Sequence, residues 1–480
     1  MSNGYGLKVR KMQRQLVIES YPWETRLAIV EDGRLVELHY EDKNDRVGNM
    51  YKGRVKDILP GLSCAFVDLG FDKNAFLYQG DLRGARPEAS VKDLLSRGQE
   101  LLVQVKKEAI TGKGARVTTS LTIPGHYLVL LPFQNEVSVS RKIKDPITRN
   151  ELRDYLKNIK PEGFGLIVRT AGVWASLKDL QDELDSLLVV WQEICTTAND
   201  VSAPALVYKD LDIVQRTLRD YIDGVTDTII VNTQEQADGI KDQLNQDSAA
   251  RGIDITVMNA PFDVLGLETE VEKLTRTRVW LKSGGYLVIE ETEAMVVIDI
   301  NSGKYTGKRE LNETIFKTNL EAAKEIPRQM RLRAIGGIIL MDFIDMKEKK
   351  HREEVLKVLS DELQKDKAHS RVLGITRLGL VEMTRKKTRG SISTVLAEEC
   401  QYCEGKGRII NHAIVARELM RRLINLSHRE ADTIRVEVRP ELMPYLDEEA
   451  KNVALIKRTL GKELNFISNP ELPAHFTIQP

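Results

Sequence analysis

Polar and apolar residues alternate along the first part of the chain. "RQLVIES" and "ETRLAIVEDGRLVELHYE" keep the period of two that turns one strand face inward. Glu31-Asp32-Gly33 breaks the second stretch into a hairpin, because Asp-Gly accepts the positive φ angles of tight hairpin turns. Next comes "NMYKGRVKDILPGLSCAFVDLGFDKNAFLYQGDL", short alternating runs divided by Pro60-Gly61 and Gly70. A further run, "ELLVQVKKEA", leads through "ITGKGAR" to "VTTSL". About five short strands in roughly 75 residues predict a small β-barrel of OB type.

The spacing then widens. "HYLVLLP" and "GFGLIVRTAG" still read as strands, but Leu177, Leu180, Leu184, Leu187, Leu188 and Trp191 recur at helical intervals and predict a helix from Leu177 to Ile194. Asp210 to Tyr221 reads as a helix, "TIIVNT" as a strand and "EQADGIKDQLNQ" as a helix. From Thr275 to about Val395 the pattern is α/β: a hairpin "YLVIE…MVVIDI", a helix from about Thr314 to Arg333, a strand "GGIILMDFIDM" and a charged helix. Pro327 should kink or end the first of these helices. A small α/β segment follows Cys403. The expected class is multidomain α/β and β.

Composition narrows the function classes. A chain of 480 residues exceeds one core and predicts about three or four domains. Apolar residues make up 42% and charged residues 30%, with no run long enough to cross a bilayer and no apolar leader at the N-terminus. A cytoplasmic location follows by default. Lys plus Arg equal Asp plus Glu at 71 each, so any polyanion site has to be a local patch. Four cysteines exclude a disulfide framework.

The candidate chemistry sits at strand ends. In "AMVVIDINSG", Asp299 and Asn301 are two apart on one strand and share a face. "GGIILMDF" also ends in an aspartate, Asp342, with Asp345 beyond it. Asp, Asn and Asp offer hard oxygen donors of the kind magnesium takes. Buried carboxylates need a cation or donors to answer them; Lys304, Lys308 and Arg309 follow closely and could meet phosphate oxygens. The structural alternative is a turn cap before Gly303 and an ordinary ion pair at Asp342. On the barrel, Lys52, Arg54 and Lys56 alternate with Tyr51, Gly53 and Val55. Phe66 and Phe76 lie on the following strands, and Lys106, Lys107, Lys113 and Arg116 come later. Cations interleaved with aromatics make a surface that tracks phosphates and stacks bases of a single strand; the alternative is core phenylalanines and a solvated face. Arg169 and Thr170 end "GLIVRT", where a guanidinium beside a hydroxyl can fork onto a terminal phosphate. The basic run "TRKKTRG" reads as a solvated helix end. "CQYCEGKGR" is a Cys-x-x-Cys knuckle with glycines that turn backbone amides toward thiolates. Structural zinc wants four ligands, so the economical solution is two chains sharing one zinc through Cys400 and Cys403 of each. A redox pair and a site completed by His412 are the rivals. Cys64 and Cys195 read as small apolar residues.

"VVIDINSG", "NLEAAKEIPRQMRLRAIGGIILMDFIDM", "GLVEMTRK", the Cys-x-x-Cys-x-Gly-x-Gly knuckle and the barrel segments "YKGRV", "AFVDLG" and "AFL", in this order, resemble the bacterial ribonuclease E/G family. The resemblance covers nearly the whole chain, and the lack of a long C-terminal extension resembles the shorter, G-type branch. It implies an RNase H-like domain (1–44 and 215–275) interrupted by an OB-fold RNA-binding barrel (45–122) and a 5′-sensor domain (123–214). A DNase I-like catalytic domain (276–397), a zinc link (398–411) and a small α/β domain (412–480) follow. By resemblance, Asp299 and Asp342 hold Mg²⁺ and Asn301 is catalytic; Arg169 and Thr170, with Gly125 and Val129 through their backbone, bind a 5′-monophosphate. Phe66, Phe76, Lys107 and Lys113 contact RNA, and Cys400 and Cys403 hold the shared Zn²⁺. The implied activity is a single-strand-specific endoribonuclease of rRNA and tRNA processing and mRNA decay, leaving 5′-phosphate and 3′-hydroxyl ends. Its partners are single-stranded RNA and a second copy, with further pairing of dimers left open. Gln401 and Tyr402 depart from a common Pro-Arg pair, and extra residues precede the first strand. The rival functions are a non-catalytic, RNA-binding or ribosome-associated scaffold and a zinc-dependent hydrolase.

Overall fold

The Asp-Gly hairpin forms as its residues require. Asp32 and Gly33 adopt φ of 48° and 73°, the two left-handed positions of a turn whose twist matches its strands. They join Glu24–Glu31 to Arg34–Tyr40 in a five-stranded sheet. In this computed structural model the described residues are 13–479, apart from 42–44, 87–89, 109–113, 245–249, 251, 304–310, 388, 399, 401–402, 404, 406, 426–432 and 473–474. The chain divides into two compact units, Met1–Leu396 and Ala397–Pro480.

The five-stranded sheet of the first unit is completed from far along the chain. Arg14–Tyr21 pairs with Glu24–Glu31 on one side and, in parallel, with Thr226–Val231 on the other; Asp254–Val257 closes the far edge. The intervening residues build two other bodies. Met50–Leu59, Cys64–Asp68, Ala75–Tyr78, Arg116–Thr118 and Glu100–Lys107 pair in that order. The start of Met50–Leu59 then pairs back onto Glu100–Lys107, which closes a five-stranded barrel. Tyr51, Val55, Val67, Leu77, Val103, Val105 and Val117 fill it, so the alternation read from the sequence does separate inward from outward residues. A small sheet of Val137–Val139, Phe164–Val168, Leu128–Pro132 and Ile123–Pro124 comes next. It contributes to a core that also takes in the helix Leu177–Asp200. That helix opens with a Ser176–Asp179 capping box and buries Leu180, Leu184, Leu187, Trp191 and Ile194. It runs past the expected Ile194, and Leu177 itself is exposed.

The last sheet of this unit has the order Arg278–Trp280, Tyr286–Glu291, Met295–Asn301, Gly337–Asp342, Val381–Arg385 and Ser370–Ile375. Ile289, Ile298, Ile300, Ile339, Met341 and Met383 turn one face into a core shared with the helices Leu311–Leu332 and Lys349–Leu363. Leu311–Leu332 does not end at Pro327. The lost hydrogen bond costs about 3 kcal/mol, but Ala322, Ala323, Ile326 and Met330 are fully buried on both sides of the proline and hold the helix to the sheet. The second unit is a three-stranded sheet, Glu463–Ser468, Thr433–Val438 and Phe476–Gln479, with the helices His412–Ile424, Met443–Glu448 and Ala450–Leu460.

Candidate functional site

Asp299 and Asp342 lie on adjacent parallel strands, and each is the register partner of the other. Their backbones are one strand spacing apart, about 4.8 Å. Both side chains are exposed, while Ile298, Ile300 and Met341 beside them point into the core. The expectation of buried carboxylates is therefore corrected: period two sends the apolar residues to the helices and the acids to water. The Asn301 amide donates to Asp299 Oδ2 at 2.8 Å, so these two side chains engage each other instead of capping the turn before Gly303. Among the described residues Asp342 makes no ion pair. The loop that follows it is pinned from below: fully buried Asn319 donates to the Ile344 carbonyl at 2.7 Å and accepts the Ile344 N–H at 3.2 Å. Two neighbouring carboxylates with an amide on one face, paired with no cation among the described residues, fit a hard divalent ion. Lys304, Lys308 and Arg309 lie outside the described residues.

Arg169 and Thr170 follow the strand Phe164–Val168. The guanidinium donates to the Gly125 carbonyl at 2.6 Å and to Asp220 Oδ1 at 2.5 Å. The Thr170 hydroxyl is exposed and lies 3.2 Å from the Ser140 hydroxyl. Burial works against the charge of Asp220, but Arg169 and Arg219 hold its carboxyl below the usual range. Val129 pairs with Ile167 in mid-strand. The turn carrying Gly125 is fixed by Glu183, which accepts the N–H groups of His126, Tyr127 and Leu128 at 2.6, 2.8 and 2.7 Å. Burial pushes the Glu183 carboxyl up against the pull of those three donors.

On the barrel, register brings the expected residues into one row. Phe66 pairs with Phe76, Phe76 with Arg116 and Arg116 with Lys107. The phenylalanine rings meet edge to face at 6.0 Å, and both are half-buried rather than core. Lys113 lies outside the described residues. Much of the barrel's positive charge, Arg116 of this row included, is already engaged. Lys52 and Arg54 pair with Glu100, Lys56 with Asp68, and Lys106 and Arg116 with Asp81. The run "TRKKTRG" is no helix end: it begins in the strand Val381–Arg385. Arg385 is buried on Asp366, and Arg389 donates to the Leu38 carbonyl.

Cys400 is exposed and Cys403 half-buried. Gly405 and Gly407 take φ of 73° and 65°, a backbone that few other residues accept. Among the described residues no three His, Cys, Asp or Glu side chains gather as a metal site. Cys64 is buried, and burial pushes up the thiols of Cys64 and Cys195.

Sequence reasoning missed Asn319, Asp220 and Glu183. Glu183 borders the apolar stripe of its helix beside Leu180 and Leu184, a position where a carboxylate needs donors. Asn319 similarly precedes Ala322 and Ala323 on a buried face. Nothing local marks Asp220 as a partner of Arg169, which is 51 positions away.

A sequence model of the ribonuclease E/G family matches residues 122–388. Ribonuclease G of Escherichia coli is 37% identical over 477 residues, covering 96% of this chain and 98% of that protein. Ribonuclease G of Haemophilus influenzae is 38% identical over 469 residues, covering 94% and 96%. The chain belongs to the ribonuclease E/G family. Ribonuclease E of a Nostoc strain is 36% identical over 359 residues, which is 73% of this chain and 52% of that protein. The family match spans the Arg169 site and the Asp299–Asp342 pair. Among the described residues, no helix of this ribonuclease E/G chain is long and apolar enough to cross a membrane.

Proposed function

We propose that this protein is an Mg²⁺-dependent endoribonuclease that cleaves single-stranded RNA in rRNA and tRNA processing and mRNA decay in the cytoplasm. Its products would carry 5′-phosphate and 3′-hydroxyl ends. The observation that carries the reading is the register pairing of Asp299 with Asp342 on an exposed sheet face, with the Asn301 amide on Asp299. Asp299 and Asp342 are the residues that would hold Mg²⁺, and the ion supplies an activated water and charge neutralisation at the phosphodiester. Asn301 keeps the Asp299 carboxylate in one orientation and has donor capacity for a phosphate oxygen. The rigid strands beneath keep the donors aligned without reorganisation.

In this reading residues 45–122 bind RNA along the Phe66–Phe76–Arg116–Lys107 row. Residues 123–214 sense the 5′ end: Asp220 and the Gly125 carbonyl hold the Arg169 guanidinium in place, and the exposed Thr170 hydroxyl meets a terminal phosphate. Residues 1–44 and 215–275 form the RNase H-like scaffold, and 276–397 the DNase I-like catalytic domain. Residues 398–411 join two copies through a zinc held by Cys400 and Cys403 of each, and 412–480 form the small domain.

The test is cleavage of an internally labelled single-stranded RNA in Mg²⁺, with product ends mapped. Asp299→Asn and Asp342→Asn each lower the rate at least about 100-fold, since the metal is worth several kcal/mol in the transition state. Both side chains are exposed at strand ends, so unfolding midpoints stay unchanged. Wild-type cleavage by either variant would refute the assignment. A non-catalytic scaffold predicts RNA binding without any cleavage.

A further inference from the structure

The exposed face of the Asp299 sheet carries an aromatic shelf beside the carboxylates. Trp280 pairs in register with Tyr286, and Tyr286 with Asn301, so the three form one cross-strand row. The next row is Arg278, Val288, Asp299 and Asp342. The intervening residues Leu287 and Ile300 point the other way, into the core. Trp280 is 64% exposed. Its ring centroid is 5.3 Å from that of Tyr286. The Arg278 guanidinium rests 4.4 Å from the Tyr286 centroid and 5.8 Å from the Trp280 centroid. Among the described residues Arg278 has no acidic partner, so its charge rests on the rings.

We propose that Trp280 and Tyr286 form a base-stacking subsite for a nucleotide next to the scissile phosphate, with Arg278 facing the adjoining phosphate. This deepens the endoribonuclease reading and rests on it. Three features favour a nucleobase as occupant. The shelf is continuous with Asn301, and Trp280 is two strand spacings from it, roughly 10 Å. Only a nucleotide close to the reacting bond reaches that far. An indole face and a stacked guanidinium match the two parts of a nucleotide, a π-face and a phosphate. The shelf also spans two paired strands whose alternate residues, Val279 and Leu287, pack against the core, so it is rigid before the RNA arrives. Stacking of this kind tolerates any base, so the subsite positions the strand more than it selects a sequence.

The experiment uses the full chain and a set of single-stranded RNAs of one sequence, each with one abasic nucleotide at a different position around the mapped cleavage site. On intact RNA, Trp280→Ala lowers kcat/KM by about 5- to 150-fold, and Trp280→Phe retains most of the rate. On the wild-type enzyme, one abasic position reproduces the loss. At that position Trp280→Ala suffers no further loss, as two lesions of one contact require. The proposal is overturned if Trp280→Ala cleaves intact RNA at the wild-type rate. It is equally overturned if the variant loses the same factor at every abasic position, the mark of a structural defect, or if light scattering shows a changed assembly, the mark of a face covered by a second copy. Absence of cleavage by the wild-type protein would instead refute the endoribonuclease reading itself.

Discussion

Asn319 belongs to no catalytic pattern, yet it grips the backbone just beyond Asp342 with both ends of its amide. Replacing it by Ala strands the Ile344 N–H and carbonyl and costs about 1–3 kcal/mol. We expect Asn319→Ala to lower RNA cleavage while leaving RNA affinity nearly unchanged, measured as kcat against Kd, because it loosens Asp342 and touches no substrate. Thr170 offers a cleaner probe of the 5′ site than Arg169, whose guanidinium also braces Gly125 and Asp220. Thr170→Val removes one hydroxyl that is exposed and close in size. A hydrogen bond to a charged group is worth about 1.5–3 kcal/mol. The preference for 5′-monophosphate over 5′-hydroxyl RNA therefore falls roughly 10-fold or more, while cleavage of the 5′-hydroxyl substrate stays constant. At this scale the face shared by Asp299 and Asn301 was legible in the sequence, because period two states which residues of one strand lie together. Their supports were not, since Asn319 and Asp220 act on groups brought near only by folding.

Between elements, the helix Leu311–Leu332 is tied to the five-stranded sheet by a buried charge network. Arg331 donates to Glu31 at 2.8 and 3.1 Å and to Glu37 at 2.9 and 3.1 Å. Glu37 also accepts the Tyr221 hydroxyl at 2.6 Å. The three paired side chains are 6%, 9% and 12% exposed. Burial opposes both carboxylate charges, yet Arg331 holds Glu31 low, and His39 with Arg331 holds Glu37 well below the ordinary range. Because the folded values are depressed, their stabilisation is fully present above the unfolded pKa, about 4.3. It is lost as pH falls through the folded values. We expect the urea midpoint to drop as pH is lowered below about 4.5, and Glu37→Gln to flatten that dependence. Arg331→Ala at neutral pH leaves Glu31 with Arg14 alone and Glu37 with only His39 and the Tyr221 hydroxyl, and costs about 3–5 kcal/mol. The helix itself was legible from its apolar spacing. Its passage through Pro327 was not, because local preference forecasts a break and only the packing of Ile326 and Met330 overrides it.

At the level of the whole molecule, the second unit carries two cysteines, Cys400 and Cys403, and a tetrahedral zinc site needs four ligands. We expect metal analysis to give half a zinc per chain and light scattering to give a dimer. A strong chelator or Cys403→Ser should halve the mass while leaving the helix content of each chain intact, since each unit has its own core. One zinc per chain, or a dimer that survives chelation, would sink the shared site.

The sequence by itself determined what depends on neighbours along the chain. The strand and helix periods, the Asp-Gly turn, the knuckle glycines and the face shared by Asp299 and Asn301 all follow from local geometry, and the order of motifs carried the family. Tertiary structure alone decided what depends on register and burial between distant segments. Thr226–Val231 joins the first sheet beside Arg14–Tyr21, Asp342 comes to rest opposite Asp299, and Trp280 stands in the open where an apolar residue would ordinarily be packed. The physical reason is that side-chain period fixes a face within one strand, whereas pairing between strands is chosen by how whole apolar faces bury against helices and other sheets.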